Sequence, residues 1–389
     1  MSKVKLGIIG IGNMGTSHIK NIMEGKTPEV ELAAVCDIDP ERLKAGVELS
    51  GGAAKGFAAF DELAESGTVD AVLIATPHYF HPPMAQKAFS CGLHVLTEKP
   101  AGVYTKAVRQ MNEAAAKSGR VFGIMYNQRT NPVYAAVKRM MEDGTLGELQ
   151  RVSWIITDWY RTQSYYDSGT WRATWAGEGG GVLLNQDPHN LDLLQWICGM
   201  PSRITGFCSI GKYHDIEVED DVTAYLEYPN GATGTFITST GDYPGTNRLE
   251  ISCQNGKVVT DGNKLTFYKN HMPVHEHLIT AKGGFDTPGC DVEEIDVQGD
   301  NPQHVGILNN FAAAVLRGEK LLAPGEEGIR GLTISNGIHL SAWTGKAVDL
   351  PLDEDLFYSL LQEKIKTSTY QKKEATGVVA SLDGTYGVK

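Results

Sequence analysis

The chain has 389 residues, of which 41% are apolar and 21% charged, and it carries a net charge of −12. That is length for two or three domains with full cores, and a composition too apolar for a disordered chain. The acidic balance argues against non-specific nucleic-acid binding, which needs a basic surface, although a local pocket can differ in sign and still take an anionic ligand.

The start, Met-Ser-Lys-Val-Lys, runs into a strand with no apolar signal-peptide core before it. Apolar stretches elsewhere fall short of the about 18 residues of a membrane helix, so neither export nor membrane insertion is expected. Val4 to Ile9 reads as a buried strand, Met14 to Glu24 as a helix and Val30 to Cys36 as a second strand. Pro40 to Leu49 reads as a helix opened by Asp39 as N-cap. Val69 to Ala75 is a short apolar run suited to an interior parallel strand. Pro82 to Cys91 (helix, ended by Gly92), His94 to Glu98 (strand), Lys106 to Ser118 (helix) and Val121 to Tyr126 (strand) continue the alternation. Strands alternating with helices over short connections imply a doubly wound parallel sheet, here assigned to residues 1–126.

The pattern changes after Asn131-Pro132. A helix from Val133 to Asp143 is followed mainly by strand-like segments: Leu149–Thr157, Ile204–Ile210, Val222–Tyr228, Ala232–Thr240, Arg248–Cys253, Lys257–Thr260 and Leu265–Tyr268. Pro229-Asn230-Gly231 and Asn255-Gly256 are hairpin signals. A second α/β domain, residues 127–352, with a mostly antiparallel open sheet is expected, closed by helices over Gln303–Leu316 and Gly328–Gly345. Residues 353–389 read as a C-terminal helix and a polar tail. Six cysteines, at 36, 91, 198, 208, 253 and 290, form no Cys-x-x-Cys pair and no cluster with zinc spacing. Buried thiols in a reducing cytoplasm, and no metal site, are expected.

Gly10-Ile11-Gly12-Asn13-Met14-Gly15 fits G-x-G-x-x-G between a predicted strand and a predicted helix, the context that motif requires. Gly10 permits the tight turn, Gly12 lets a pyrophosphate approach, and Gly15 lets helix pack on strand; Asn13 and Met14 lie in the same loop. Free N–H groups at the helix start then face the phosphates. Asp37 ends the second strand about 20 residues further on, where a carboxylate accepts from ribose hydroxyls and repels a 2′-phosphate. No Arg follows it, so NAD is favoured over NADP. Lys99 sits at the carboxyl end of a parallel strand, where open α/β sheets bind ligands, and Pro100 holds it extended.

The sequence resembles the Gfo/Idh/MocA family of nicotinamide-dependent oxidoreductases from Val4 to about Leu352. The resemblance rests on the glycine loop, Ala75-Thr76-Pro77 with His81, Glu98-Lys99-Pro100, Asn127-Gln128-Arg129, and Gly179-Gly180-Gly181 leading to His189 and Asp192. It implies a Rossmann domain joined to an α/β domain whose open sheet covers the active site and mediates homo-oligomers, dimers or tetramers. It places Ala75, Thr76, Pro77, His81, Glu98 and Lys99 at the cofactor.

In the second half of the site, Asn185 and His189 are four apart and on one helix would share a face. Asp192, three beyond, could orient the imidazole. Family members often carry Asp four residues before the catalytic His. Asn185 stands there instead and cannot exchange a proton, which leaves His189 as base and Lys99 as its partner; Asp187 is a nearby alternative acid. The stretch Asp158 to Trp175 holds Trp159, Tyr160, Arg161, Tyr165, Tyr166, Trp171, Arg172 and Trp175. Aromatic planes suit the C–H faces of a sugar, and Asn, Asp and Arg its hydroxyl rim. Trp171-Arg172 before the glycine run also resembles a family feature. Tyr126 and Asn127, with Arg129, end another Rossmann strand on the same side; Asn247 could line the cavity, and His304 is expected to cap or pack.

Family members oxidise inositols, aldoses, sugar acids and glycosides. The Gly-Gly-Gly-Val-Leu-Leu-Asn-Gln-x-Pro-His form resembles bacterial members that oxidise C3 of glucosides, some of which begin C-glycoside cleavage with a downstream eliminating enzyme. The resemblance therefore implies a cytoplasmic NAD-dependent glycoside 3-dehydrogenase. An inositol or free-aldose dehydrogenase, an NAD-dependent glycosidase that recycles its cofactor, and a non-catalytic sugar or NAD sensor remain open alternatives.

Overall fold

The computed structural model describes residues 2–372. The first part runs β1 (Val4–Ile9), α1 (Asn13–Met23), β2 (Val30–Cys36), α2 (Pro40–Leu49), β3 (Lys55–Phe57), α3 (Phe60–Glu65), β4 (Ala71–Ile74), α4 (His81–Ser90), β5 (His94–Thr97), α5 (Thr105–Ser118) and β6 (Phe122–Ile124). Its strands are all parallel, in the order β3-β2-β1-β4-β5-β6. The chain reverses direction across the sheet between β1 and β4, so a crevice opens at their carboxyl ends. Uninterrupted apolar runs explain the buried strands: all four residues of β4 are buried, as are Leu6, Ile8 and Ile9 of β1. Asp39 caps α2, its Oδ1 accepting from the Glu41 and Arg42 amides at 2.9 and 3.4 Å.

The second part begins with α6 (Pro132–Glu142), β7 (Leu149–Ile156), α7 (Gln163–Asp167), α8 (Val182–Asn185) and α9 (Pro188–Cys198). Then come β8 (Arg203–Ile210), β9 (Glu219–Glu227), β10 (Thr233–Ser239), β11 (Asn247–Cys253), β12 (Gly256–Asp261), β13 (Lys264–Asn270), α10 (Val274–Thr280) and β14 (Cys290–Ile295). The chain continues through α11 (Gln303–Arg317), α12 (Gly328–Thr344), β15 (Val348–Asp349) and α13 (Glu354–Thr367). Nine strands form one sheet, β14-β13-β12-β11-β7-β10-β9-β8-β15, antiparallel throughout except where β7 meets β10. From Val222 onward strand β9 alternates: Val222, Ala224 and Leu226 are buried, while Tyr225 faces out. The helices α9 and α12 cover the inner face. The outer face exposes Ile155, Phe207 and Ile210 as well as Tyr225.

Three expectations change. Elements β3, α3, α10 and β14 carried no strong pattern and were not predicted. The thiols of Cys36 and Cys253 are buried, which pushes them up to about 11 and about 12, but Cys290 is exposed on the edge strand β14. The expected single helix through Asn185 and His189 is two helices. The polar tail lies outside the described residues beyond Lys372. Among the described residues, no helix is long and apolar enough to cross a membrane.

Candidate active site

The loop between β1 and α1 forms the first half. Gly10 has φ +89°, and a Cβ there would lie 2.7 Å from the Ala75 carbonyl oxygen. A Cβ at Gly15 would collide with the Gly10 carbonyl oxygen, whereas one at Gly12 would meet nothing within 4 Å. The open side of the loop is therefore at Gly12, where α1 starts without a side-chain cap and Asn13 and Met14 form its first turn. Such an uncapped helix start beside open space fits a pyrophosphate. Asp37, 8% exposed, accepts from the Ile11 amide at 2.7 Å through Oδ2 and from the Asp39 amide at 2.9 Å through Oδ1. It thus ties the end of β2 to the glycine loop and keeps lone pairs for a ribose hydroxyl. Gly15→Ala is expected to weaken NAD binding at least tenfold, with little change in sugar-site residues; cofactor titration by fluorescence would check this.

Ala75, Thr76 and Pro77 leave β4 beside Gly10. His81 departs from expectation. Its two ring nitrogens lie 2.7 Å from the carbonyl oxygens of Thr76 and Pro100, so the ring clasps the chain beyond β4 and β5 and presents no polar atom to a cofactor. Glu98 likewise faces inward. Its Oε1 is 2.7 Å from His18 Nε2 on α1, and its Oε2 accepts from the Lys99 amide at 3.2 Å. The pairing with His18 holds its carboxyl below the usual range against the cost of burial. His304, second in α11, packs its ring edge-on to His18 at 5.7 Å, and burial pushes it down to about 4.

Lys99 Nζ donates to the Asn185 carbonyl at 2.6 Å. Burial, with Arg172 and Arg161 nearby, lowers its ammonium to about 8. Asn185 ends α8. The next helix starts at Pro188, which lacks the N–H that a continuous helix needs. His189 therefore enters the site from the first turn of α9. It is 2% exposed, and Tyr126 sits edge-on at 6.4 Å. Burial and the Lys99 cation hold its imidazole well below the usual range, so it is neutral at pH 7. The Tyr126 hydroxyl points away, toward the Gly328 carbonyl at 3.5 Å.

Asp192 does not serve the imidazole as expected. Arg129 donates to its two oxygens at 2.8 and 2.7 Å, and Gln195 donates at 2.9 Å. Arg129 also reaches Glu327 at 2.7 Å. The pair is wholly buried, so Asp192→Ala should destabilise the fold by about 3–5 kcal/mol by leaving the buried cation with only the partly exposed Glu327. A urea melt would measure it. Asn127 is also a scaffold residue: its amide donates to Gln303, whose φ of +53° marks the start of α11.

The loop after β7 supplies a wall. The Tyr165 hydroxyl donates to Asn185 Oδ1 at 3.1 Å and accepts from Arg172 Nη1 at 2.8 Å and Gln186 Nε2 at 3.2 Å. Trp171 stands edge-on to His78 at 5.2 Å. Tyr160 is half exposed beside Tyr243, at the rim. Asp187 is fully buried against Thr238 and Trp159, and burial pushes its carboxyl well up; it faces the sheet and not Lys99. Asn247 pairs with Trp154 and Asp158 on the sheet.

Sequence reasoning missed Glu178. Its carboxylate accepts from the Asn185 amide and, at 2.6 Å, from the Ala173 amide. Burial raises its carboxyl above the usual value. A carboxyl group thus stands directly behind the asparagine. Its only sequence signal was an acid abutting a glycine run. Beyond α13 the chain returns to this wall: Ser368 donates to Glu217, Tyr370 to the Asp215 carbonyl at 2.8 Å, and Lys372 to the carbonyls of Tyr166 and, at 2.9 Å, Arg172.

Residues 4–126 match the profile of the oxidoreductase family with an NAD-binding Rossmann fold, and residues 134–259 match the GFO/IDH/MocA C-terminal domain. The chain belongs to the Gfo/Idh/MocA family. Its cofactor is accordingly NAD, in agreement with the cradle around Gly12 and Asp37. The rhizopine catabolism protein MocA of Rhizobium meliloti is 32% identical over 200 residues, which cover 51% of this chain and 58% of that protein. Inositol 2-dehydrogenase of the same organism is 21% identical over 338 residues, covering 86% of this chain and 95% of that protein. The crystal structure of the WlbA dehydrogenase from Bordetella pertussis, in complex with NADH and UDP-GlcNAcA, superposes with a TM-score of 0.74. It is 28% identical and covers 90% of this chain and 100% of its own. The rhizopine protein is thus matched over little more than half its length, whereas the inositol dehydrogenase and the WlbA dehydrogenase are matched nearly throughout.

Proposed function

We propose that this family member is an NAD-dependent dehydrogenase that oxidises a secondary hydroxyl of a sugar, at C3 of an O- or C-glucoside. The observation that carries the reading is Lys99 at the carboxyl edge of the Rossmann sheet, bonded to the Asn185 carbonyl, with the buried His189 near enough for the cation to help keep its imidazole neutral. Gly10, Gly12, Asn13, Met14, Gly15, Asp37, Ala75, Thr76 and Pro77 would hold the dinucleotide, with Lys99 beside its nicotinamide end. The chemistry that NAD supplies when bound is acceptance of a hydride. His189 takes the hydroxyl proton as general base, a role that requires the neutral imidazole. Lys99, still a cation below about pH 8, donates a hydrogen bond to the developing alkoxide. Asn185, held by Tyr165 and Glu178, positions the ring hydroxyls, and Arg172 and Trp171 wall the site.

The choice of C3 rests on the likeness of the Gly179–His189 segment to glycoside 3-dehydrogenases. A 3-keto product acidifies the neighbouring C–H, so an eliminating enzyme would act next. Inositol 2-dehydrogenases among the relatives support the polyol reading as the second choice. Copies would associate through the outer sheet face that exposes Phe207 and Tyr225.

The test is mass spectrometry of products from glucosides, inositols and free sugars, with a keto acceptor present to reoxidise the cofactor. A product lighter by two hydrogens, with fragments that place the ketone at C3, is expected. Free sugar and aglycone without a ketone would convert the reading to a glycosidase, and an unchanged panel would favour a sensor.

A further inference from the structure

Two arginines, Arg161 and Arg172, lie close enough to Lys99 to lower its ammonium. Arg129, Arg109, Arg248 and Arg317 each meet a carboxylate. Among the described residues, neither Arg161 nor Arg172 has a carboxylate within 4 Å in an ion pair. Each instead lies against one face of the site: Arg161 is 5.2 Å and Arg172 4.7 Å from the Tyr165 ring centre. Arg161 also covers Trp159 at 5.5 Å, and Arg172 covers Trp171 at 4.8 Å.

Both are held in place. The Arg161 amide donates to the Thr240 carbonyl at 2.9 Å, and its own carbonyl lies 2.9 Å from His214 Nε2. The other His214 nitrogen is 3.0 Å from Asp220, so the imidazole is braced from behind. The Arg161 guanidinium makes one bond, to the Tyr160 carbonyl, and its buried Nε has no partner. Arg172 donates to the Tyr165 hydroxyl, and the residue after it, Ala173, has φ +58°. Such a backbone conformation is held only where surrounding structure enforces it. Lys372 adds a further cation against the Arg172 carbonyl.

Two carboxylates act on this group from a distance, Glu178 on Arg172, Lys99 and Lys372 and Asp167 on Lys372, but neither forms an ion pair with Arg161 or Arg172. Glu178 is engaged by Asn185 and the Ala173 amide, and burial favours its neutral form. Asp167 accepts from Gln163. A chain with a net charge of −12 thus gathers Lys99, Arg161, Arg172 and Lys372 around one wall. Planar guanidinium groups stacked on aromatic rings leave their edges for a planar or tetrahedral anion.

We infer that Arg161 and Arg172 form a seat for an anionic group on the substrate, a carboxylate or a phosphate carried by the sugar. This deepens the dehydrogenase reading and rests on it. The seat lies next to Asn185 and Tyr165, on the sugar side, whereas the dinucleotide phosphates belong to the Gly12 loop.

The experiment compares sugars that differ only in charge, on the full chain loaded with NAD. Methyl glucoside, methyl glucuronide and glucose 1-phosphate are the probes. The ratio of kcat/KM for the better anionic sugar over methyl glucoside should exceed tenfold, with the gain in KM. Raising salt should erode it. Whichever anion is preferred identifies the carboxylate or the phosphate. Arg161→Gln should lower the ratio at least tenfold, while Arg161→Lys should retain a preference for the anion. A ratio near one in the parent enzyme overturns the proposal. So does an Arg161→Gln change that weakens NAD binding in place of the sugar ratio. If no sugar turns over, calorimetric binding of the same three probes to the NADH-loaded protein decides the seat separately. Preferential anion binding then upholds it and counts only against the dehydrogenase, and equal binding overturns it.

Discussion

Replacement of Lys99 by alanine is expected to lower kcat about a thousandfold while leaving NAD affinity within a few-fold of the parent. The ammonium is bonded to the Asn185 carbonyl at the heart of the site, and its removal takes away the donor for the developing alkoxide. The pH dependence should carry its signature. Burial lowers its pKa to about 8, so it is charged below that value and neutral above it. kcat/KM should hold level through neutrality and fall as pH rises past about 8, since the polarising role needs the charge. A profile that instead rose through this range would make neutral Lys99 the base and displace His189 from that role. Lys99→Arg keeps a charge but cannot follow the same titration, so its profile should lose the alkaline limb.

His189→Asn should cost about a hundredfold to ten-thousandfold in kcat, the range for loss of a general base. Asparagine keeps a polar group near the same volume, so the packing against Tyr126 and the start of α9 should survive. The imidazole is neutral well into acidic solution, because burial and Lys99 both oppose its protonation. The parent enzyme should therefore show no acid limb near pH 6.5. A primary deuterium isotope effect that appears or grows in the variant would show that the chemical step has become limiting. Unchanged turnover with normal NAD binding would remove His189 from the mechanism.

Much of the Rossmann half was legible because its signals are local. Strands β1 and β2 are apolar but for the exposed Lys5 and Glu31 near their starts, Asp39 caps α2, and the glycine loop leaves no room for a Cβ at Gly10 or Gly15. Strand β3 escaped because three residues at a sheet edge, Lys55 to Phe57, leave no periodicity to read. His18 was available as a signal, since it shares the buried face of α1 with Gly15, Ile19 and Ile22. Its partner Glu98 lies eighty residues away and no spacing rule connects them.

The second half was legible as composition and not as geometry. Lys99, Asn185 and Arg172 do meet, through hydrogen bonds that the sequence cannot show. Asp192 was assigned to His189 by proximity in the chain, but Arg129 outcompetes it with two parallel bonds. Proline at 188 splits the helix on which the Asn185–His189 face was argued. Asp187 and Tyr126 proved to direct their polar atoms elsewhere, one to the sheet and one to Gly328.

The return of the chain over the substrate wall has a practical side. Tyr370 and Lys372 are anchored to backbone carbonyls of that wall, far from them in sequence. A protein trimmed by a protease before Ser368 should keep both sheets and a full complement of NAD, yet hold its sugar poorly. Preparations with mixed tails would then look uniformly folded and cofactor-loaded while differing in specific activity from batch to batch. Intact mass, and not purity on a gel, becomes the measure of active enzyme.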